Sequence, residues 1–299
     1  MQFLKFYFIS AISLLLSLSS CTTDSTDPAG PQSTAQVTIS VSDFTTTLEP
    51  FPTGAPTRAT SVADYNDLKL LTLAIYSGTT PVYESTQDRD DASTYTTFGQ
   101  FSCSLPFGTY QLVVIGRNNK EGDAFTLTSA TEAAYTSEKV RETFCATQPV
   151  TVTSTAAQNL NVTLSRIVSR LRVVTTDNRT AEATKIRTTF TAGGKGFNPT
   201  TGLATTNTGF SVVNHPSSAA GQTAAIYSYL FLNTDVQTMD ITLEVLDDND
   251  QVLLTKVVPN VTLQRNRSTK LTGPLYGSPL NSSFLVETDW LTESTQPFD

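Results

Sequence analysis

Length, composition and charge set the first bounds on this protein. The chain has 299 residues, of which 15% are charged, and a formal net charge of −8. This acidic balance argues against a nucleic-acid partner and against charge-driven binding to anionic lipid. The length exceeds that of a typical single domain, so we expect two domains of ordinary size.

The first twenty residues have the layout of a signal peptide. Lys5 is their single charged residue, and a largely apolar run follows from Phe6 to Leu16. This run is shorter than the roughly 20 apolar residues that a membrane span needs. We therefore assign residues 1–20 to export rather than to the fold. Their removal takes away one lysine and no acid, which moves the net charge from −8 to −9.

The leader ends in Leu18-Ser19-Ser20-Cys21, which resembles the lipobox of bacterial lipoproteins. The resemblance implies that Cys21 receives lipid, palmitate among its acyl chains, and that this lipid holds the protein at the outer membrane. An ordinary signal peptide followed by a chance cysteine is the alternative. Residues 21–35 are mostly small and polar with interrupting prolines, a composition that predicts a flexible tether.

From residue 36 onward the sequence predicts β-strands. Apolar and polar side chains alternate along Val37 to Val41, and Leu71 to Ile75 repeats the pattern, which is typical of half-buried strands. The run that follows Phe107 is apolar on both faces and should lie deep in a sheet. The abundance of threonine and valine, both β-branched, agrees with a strand-rich fold.

A single segment departs from this pattern. Residues 126–143 look helical, because Ser129 and Glu132 have the spacing of a capping box at a helix N-terminus. We therefore expect one helix among the strands.

We place a domain boundary near residues 146–152, so that the predicted domains are 36–149 and 150–299. Beyond this boundary the apolar phase shifts between Leu164 and Ile167, as a β-bulge would shift it. Further strands are expected at Ala225 to Leu232, Met239 to Leu246, Val252 to Val258 and Ser268 to Thr272. Short strands separated by turn clusters favour an all-β fold of two β-sandwiches in tandem.

Several segments, in this order, resemble the fimbrillin-related surface lipoproteins of Bacteroidia, the subunits of type V pili. They are the lipobox cysteine Cys21, the strand Leu68 to Tyr76, the segment Leu105 to Tyr110, the segment Arg166 to Leu171, and Asn266 to Gly273 before a closing Trp290. The resemblance implies two transthyretin-like β-sandwich domains and assembly with other fimbrial subunits by strand exchange. In such assembly, main-chain hydrogen bonds along an open edge supply affinity, and alternate side chains set the register.

The same resemblance draws attention to Pro56-Thr57-Arg58-Ala59-Thr60. Stalk subunits of the family lose an N-terminal segment to a trypsin-like protease, and Arg58 and Ala59 would flank such a cut. An exposed loop arginine without this role is the alternative. The difference matters because cleavage after Arg58 would remove Cys21 with its lipid, whereas an anchor subunit keeps both.

Catalytic motifs are weak in this sequence. His215 is the only histidine and precedes Pro216 in a polar stretch without a Gly-x-Ser-x-Gly turn, so we expect a surface loop residue. Gly193-Gly194-Lys195-Gly196 lacks the first glycine of a phosphate loop, and a hairpin turn explains it. We therefore predict a protein that is not an enzyme and needs no cofactor.

Two acidic clusters could bind calcium through carboxylate oxygens, or a carboxylate pair could serve a glycosidase. The clusters are Asp88, Asp90 and Asp91, and Asp247, Asp248 and Asp250. Both lie between predicted strands, where turn geometry alone favours aspartate. We therefore expect turns and no metal.

Two cysteines, Cys103 and Cys145, remain after lipidation. In an oxidising envelope they could form one disulfide, which would stabilise the first domain by about 3–4 kcal/mol. Alternatively, both are small core residues. Phe101, Cys103 and Leu105 share one face of a predicted strand, which favours burial.

Together these features predict a surface lipoprotein that acts as an anchor or minor subunit of a Bacteroidia-type fimbria and supports cell adhesion. A stalk fimbrillin cleaved after Arg58 is the nearest alternative. A glycan-binding surface lipoprotein is the other, and it would need aromatic side chains clustered on an exposed face. The single tryptophan, Trp290, gives that alternative little support.

Overall fold

The computed structural model describes residues 32–45, 62–63, 65–118, 124–277 and 284–288. In these ranges the regular structure is β-strand, apart from a short 3-10 helix at Ala92–Thr94. The first nine strands are β1 (Thr34–Thr45), β2 (Leu70–Ser77), β3 (Thr80–Asp88), β4 (Gln100–Pro106), β5 (Gly108–Arg117), β6 (Phe125–Ser129), β7 (Glu132–Tyr135), β8 (Thr143–Val152) and β9 (Gln158–Arg166). The others are β10 (Ser169–Thr175), β11 (Lys185–Phe190), β12 (Gly196–Asn198), β13 (Leu203–Ala204), β14 (Phe210–Asn214), β15 (Ala225–Leu230), β16 (Val236–Leu246), β17 (Val252–Gln264), β18 (Ser268–Gly273) and β19 (Leu285–Thr288).

These strands confirm the predicted all-β class. Among the described residues, no helix is long and apolar enough to cross a membrane.

Seven strands of the first half form one sheet in the order β3-β2-β5-β8-β9-β1-β4. Side chains from both halves of this sheet, such as Leu73 on β2 and Ile39 on β1, belong to one buried cluster, so the sheet curves around its own core. The two edges also meet: Gln87 on β3 accepts a hydrogen bond from the Gly99 N–H and donates one to the Gln100 carbonyl on β4. The sheet is therefore nearly closed.

The second half contains two four-stranded sheets, ordered β15-β10-β18-β19 and β14-β11-β16-β17. Leu171 and Leu271 from the first of these sheets pack with Ile186 and Leu243 from the other in a second buried cluster. This arrangement is a β-sandwich, because alternate side chains of each sheet point into a shared core.

A further sheet, ordered β13-β12-β7-β6, combines strands from both sides of the predicted domain boundary. Its Phe197 packs against Phe231, with ring centroids 4.5 Å apart and ring planes tilted by 32°, in a third cluster that also includes Ala74 of β2. Seven of the eight residues of β2 are therefore buried, although its alternation predicts a half-buried strand. The predicted boundary between 149 and 150 falls within β8, and the two-domain division stays a prediction.

The predicted helix at 126–143 is wrong. This segment contains the hairpin of β6 and β7, in which Ala133 and Tyr135 are buried with a period of two. The Ser129 hydroxyl accepts a hydrogen bond from the Thr131 N–H at 3.2 Å and so shapes the turn instead of capping a helix. Serine followed by glutamate three residues later suits either role, and strand pairing decides between them.

Three smaller predictions also need correction. The phase shift between Leu164 and Ile167 is a crossover and not a bulge, because β9 and β10 belong to different sheets. The segment from Gly193 to Gly196 leads from β11 into β12. These strands belong to different sheets, so the segment is not a hairpin turn. Residues 34–35, predicted as the end of the tether, belong to β1.

The third cluster gives a direct stability prediction. Phe197→Ala removes a fully buried ring and should lower the free energy of unfolding by about 3–5 kcal/mol in chemical denaturation. Phe107→Ala is the matched control, because that ring is 46% exposed and its loss should change stability by less than about 0.5 kcal/mol. Similar small losses for both variants would contradict the assignment of Phe197 to the core.

Candidate functional site

The first strand of the described chain is inserted between two strands that come later in the sequence. β1 pairs antiparallel with β4 along residues 34–40. On its other side it pairs in parallel with β9 along residues 37–45, with a register shift after Val41. Without β1, β4 and β9 would face each other across the width of one strand, and the facing main-chain groups of both would lack partners.

Alternate side chains hold β1 in the core. Val37 and Ile39 are fully buried, and Ala35 and Val41 are nearly so. Burial of one valine or isoleucine side chain contributes about 1.5–3 kcal/mol, so the three larger side chains together contribute on the order of 5–9 kcal/mol. The opposite face is more polar: the Gln36 amide donates to the Ser102 hydroxyl at 2.5 Å. Another strand with the same alternation of apolar and polar side chains would fit the same groove.

Gly99 allows the turn before β4 to approach β1 closely. The Val41 N–H donates to the Gly99 carbonyl at 2.8 Å. The φ angle of Gly99 is +94°, and a Cβ added there would lie 2.7 Å from the Val41 carbonyl oxygen. Glycine is therefore required at this position both by the backbone conformation and by the close contact.

Residues near Val62 and Leu68 have attachments besides their contact with β1, in which the Val62 N–H donates to the Ser42 carbonyl at 3.0 Å. Arg89 donates to the Leu68 carbonyl through Nε and to the Val62 carbonyl through Nη2, each at 2.7 Å. The Arg89 guanidinium also lies 4.1 Å from the ring centroid of Phe98. This part of the chain is thus fixed to the first sheet through β3 and the turn before β4.

Tyr65 joins a buried ion pair. Its hydroxyl donates to Glu142 Oε2 at 2.7 Å, and Arg166 Nε donates to Glu142 Oε1 at 2.7 Å. Arg166 also donates to Asn266 Oδ1 at 3.1 Å and lies over the Phe144 ring. Burial, with the Glu142 charge, raises the pKa of Tyr65 well above its usual value, so this hydroxyl remains a donor at neutral pH. We call these five residues the Glu142 network.

No local sequence pattern indicates the Glu142 network. Tyr65 and Glu142 are 77 positions apart, and Glu142 and Arg166 are 24 apart. Arg166 alone carries a signal, as the first residue of a segment that resembles the fimbrillin-related proteins.

Cys103 and Cys145 are both buried free thiols. Cys103 lies in the first cluster on β4 and Cys145 in the third cluster on β8. In the sheet, β9 and β1 separate these strands, so at about 4.8 Å per strand the two sulfur atoms are too far apart to bond. Burial raises the pKa of both thiols, that of Cys145 to about 12, which keeps them protonated and unreactive. Of the two alternatives, the structure therefore shows two buried core cysteines and not a disulfide.

The acidic clusters serve as turns. Carboxylates of Asp88, Asp91 and Asp247 accept hydrogen bonds from main-chain N–H groups two residues later, and Asp90 and Asp250 pair with Lys69 and Lys185. Within the described ranges, no three acidic, histidine or cysteine side chains converge as a metal site would require. His215 is exposed between β14 and β15, beside a cavity.

Four residues singled out in the sequence, Cys21, Arg58, Ala59 and Trp290, lie outside the described residues. Lipidation at Cys21 and cleavage between Arg58 and Ala59 therefore stay predictions.

Comparison with known proteins identifies the family. Residues 31–296 match the model of a family of unknown function, DUF6562, and the chain belongs to that family. Comparison with curated proteins gives no match.

Solved structures from Bacteroidia share the fold. The fimbrial anchor protein Mfa2 from Porphyromonas gingivalis aligns with a TM-score of 0.52 at 10% identity, over 88% of this chain and 100% of that chain. A candidate adhesin from Bacteroides ovatus aligns with a TM-score of 0.51 at 11% identity, over 85% of this chain and 96% of that chain. Identities this low establish a shared fold, and at that level the predicted resemblance to Bacteroidia fimbrial proteins is confirmed.

The contact between Gly99 and Val41 predicts a selective effect on β1. Gly99→Ala and Gly78→Ala both place alanine at a positive φ, but only at Gly99 would the new Cβ meet the chain, since Gly78 has open space. We expect Gly99→Ala to lower the free energy of unfolding by at least about 1 kcal/mol more than Gly78→Ala. It should also accelerate amide hydrogen exchange along β1. Equal effects of the two substitutions would contradict the role assigned to this contact.

Proposed function

We propose that this protein is a surface lipoprotein that acts as an anchor or minor subunit of a fimbria, supports cell adhesion, and joins other subunits by β-strand exchange. The observation that carries the proposal is the position of β1 between β4 and β9. This strand follows directly on the predicted tether, so the proposed lipid and the sheet are connected through it. The fold shared with a fimbrial anchor protein supports the proposal.

The two hydrogen-bond ladders of β1 suit an anchor. A fibre under tension would pull the body of the subunit away from a lipid on Cys21, and the load would pass through β1. Pulling along a strand that is bonded on both sides loads several hydrogen bonds at once, and the buried Val37 and Ile39 resist sliding. An intact chain with retained lipid therefore connects the membrane mechanically to the fibre.

The stalk alternative uses the same groove differently. Cleavage between Arg58 and Ala59 would cut the chain after β1 and allow this strand to leave. Val62 and Leu68 would stay fixed through Arg89. The groove between β4 and β9 would then be open to a strand of similar alternation from a neighbouring subunit, which is β-augmentation.

The first test is mass spectrometry of the mature N-terminus on the surface of cells that express the protein. A lipid-modified Cys21 as the first residue is expected for the anchor. Ala59 as the first residue would establish the stalk alternative, and Arg58→Gln should then restore the lipidated form. A mature chain that carries no lipid and begins elsewhere would contradict both roles.

Strand exchange has its own test in partner capture. Deletion of residues 37–41 removes the side chains that fill the groove between β4 and β9, so it should change the binding of fimbrial subunits or their incorporation into fibres. Deletion of 291–299 tests the other terminus separately. Circular dichroism verifies that each shortened chain keeps its β-structure. Unchanged assembly after both deletions would exclude the mechanism.

A further inference from the structure

A cavity of about 780 Å³ opens along the outer edge of β15, beside β14 and the residues that precede β8. This volume lies in the range of sites that hold small molecules. The proposed strand exchange takes place at β1, β4 and β9, and none of these strands lines this cavity.

The edge of β15 is only partly occupied. Phe231, just after the strand, exchanges main-chain hydrogen bonds with Gly194, and Tyr229 forms a bridge with Val140. The main-chain N–H and C=O groups of successive residues in a strand point to opposite sides. The main-chain groups of Tyr227 and Ala225, like those of Tyr229 and Phe231, therefore point away from β10. Among the described residues, no strand pairs with them on that side, and both line the cavity.

The charge of the lining is basic although the protein as a whole is acidic. Lys139, Arg141 and Arg170 line the cavity, and Glu142 is the only acidic residue among the described residues that do so. Glu142 is already bonded to Arg166 and to the Tyr65 hydroxyl. Its charge is thereby largely offset, so the cavity favours an anion in a chain of net charge −8.

Aromatic and arginine side chains are interleaved at this face. Tyr227 lies opposite Arg172 and Tyr229 opposite Arg170 in the paired strands β15 and β10. The Arg170 guanidinium lies 5.2 Å from the Tyr227 ring centroid, and its Nε donates to the Ser268 hydroxyl at 2.9 Å. These contacts hold the guanidinium in one orientation, which is the preorganisation that recognition of a carboxylate by arginine requires.

Hydroxyl and amide groups complete the lining. Asn214 donates to the Ser228 hydroxyl at 3.0 Å in a buried position at the wall of the cavity. The Ser218 hydroxyl oxygen is buried and has no hydrogen-bond partner within the described residues, and Ser218 also lines the cavity. A polyhydroxylated ligand would supply partners for such groups, whereas an apolar ligand would not.

We propose that this cavity binds the acidic terminal sugar of a saccharide, with Arg170 and Lys139 facing its carboxylate and the hydroxyl and amide groups facing its ring hydroxyls. An acidic peptide added as a strand is the less favoured occupant. The open edge covers only residues 225–227, and the bridge between Val140 and Tyr229 closes one end of it. Strands are typically five or six residues long, so this edge is too short to bind a peptide firmly.

The test is binding of small probes to the intact chain, measured by saturation-transfer NMR and by titration calorimetry. The acidic probes are the methyl glycosides of N-acetylneuraminic acid and glucuronic acid, and methyl glucoside is the neutral probe. We expect the acidic probes to bind, the neutral probe to bind at least tenfold more weakly, and added salt to weaken acidic-probe binding. Equal binding of acidic and neutral probes, or no binding of either, would overturn the proposal.

Substitutions locate the site. Arg170→Gln and, separately, Lys139→Gln should each weaken binding of the acidic probe about tenfold, because each removes one charge from the cavity. Lys139→Gln keeps the test valid if Arg170→Gln fails to fold. Lys270→Gln is the matched control: it removes one charge from β18, in the same sheet but outside the cavity, and should leave the affinity within twofold. Equal weakening by Lys139→Gln and Lys270→Gln, or capture of a triglutamate peptide without binding of either sugar acid, would overturn the assignment.

Discussion

The double ladder of main-chain hydrogen bonds around β1 is the constraint on which the first sheet depends. This strand is the first in the described part of the chain, yet it bonds to β4 on one side and to β9 on the other. The curved sheet is continuous only while β1 is present, and the first core is closed by its side chains. A segment that lies directly behind the predicted membrane tether thus completes the fold.

A second set of contacts connects the remaining parts of the chain. The third cluster packs the outer face of β2 and β5 against Phe197 and Phe231, and the Glu142 network joins the start of β8 to Arg166 and Asn266. A buried ion pair contributes little net stability of its own, but loss of either partner leaves an uncompensated charge. The third cluster therefore fixes how β2 and β5 pack against Phe197 and Phe231. The requirement that Glu142 keep its partners fixes the position of the start of β8.

The sequence predicted most individual strands but few of their neighbours. Alternation with a period of two identifies β1, β2 and β16 because one face of a strand must be buried. It does not reveal that β2 is covered on its second face, since the covering residue Phe197 lies far along the chain. The helix expected at 126–143 fails for the same reason: Ser129 and Glu132 are locally ambiguous, and pairing of β7 with β12 comes from a distant segment.

The candidate sites divide in a similar way. The sequence predicts the strand from Val37 to Val41 but not its parallel pairing with β9. Parallel strands need long connections, so the paired residues are far apart in the sequence. Arg170 and Arg172, like Tyr227 and Tyr229, alternate visibly in the sequence, but only the register between β10 and β15 places them opposite each other. Local sequence patterns therefore predict which side chains share one face of a strand. Which strands pair, and in which register, follows only from the fold.

We propose that β1 is an exchangeable strand, and peptide complementation tests this exchange most directly. The chain beginning at Ala59 is titrated with a synthetic peptide of residues 34–45, and binding and Tm are measured. We expect one-to-one binding that raises Tm, and no such effect from a peptide with Val37→Asp and Ile39→Asp. A shortened chain that has the Tm of the full chain and binds neither peptide, or that binds both equally, would contradict the exchange of β1.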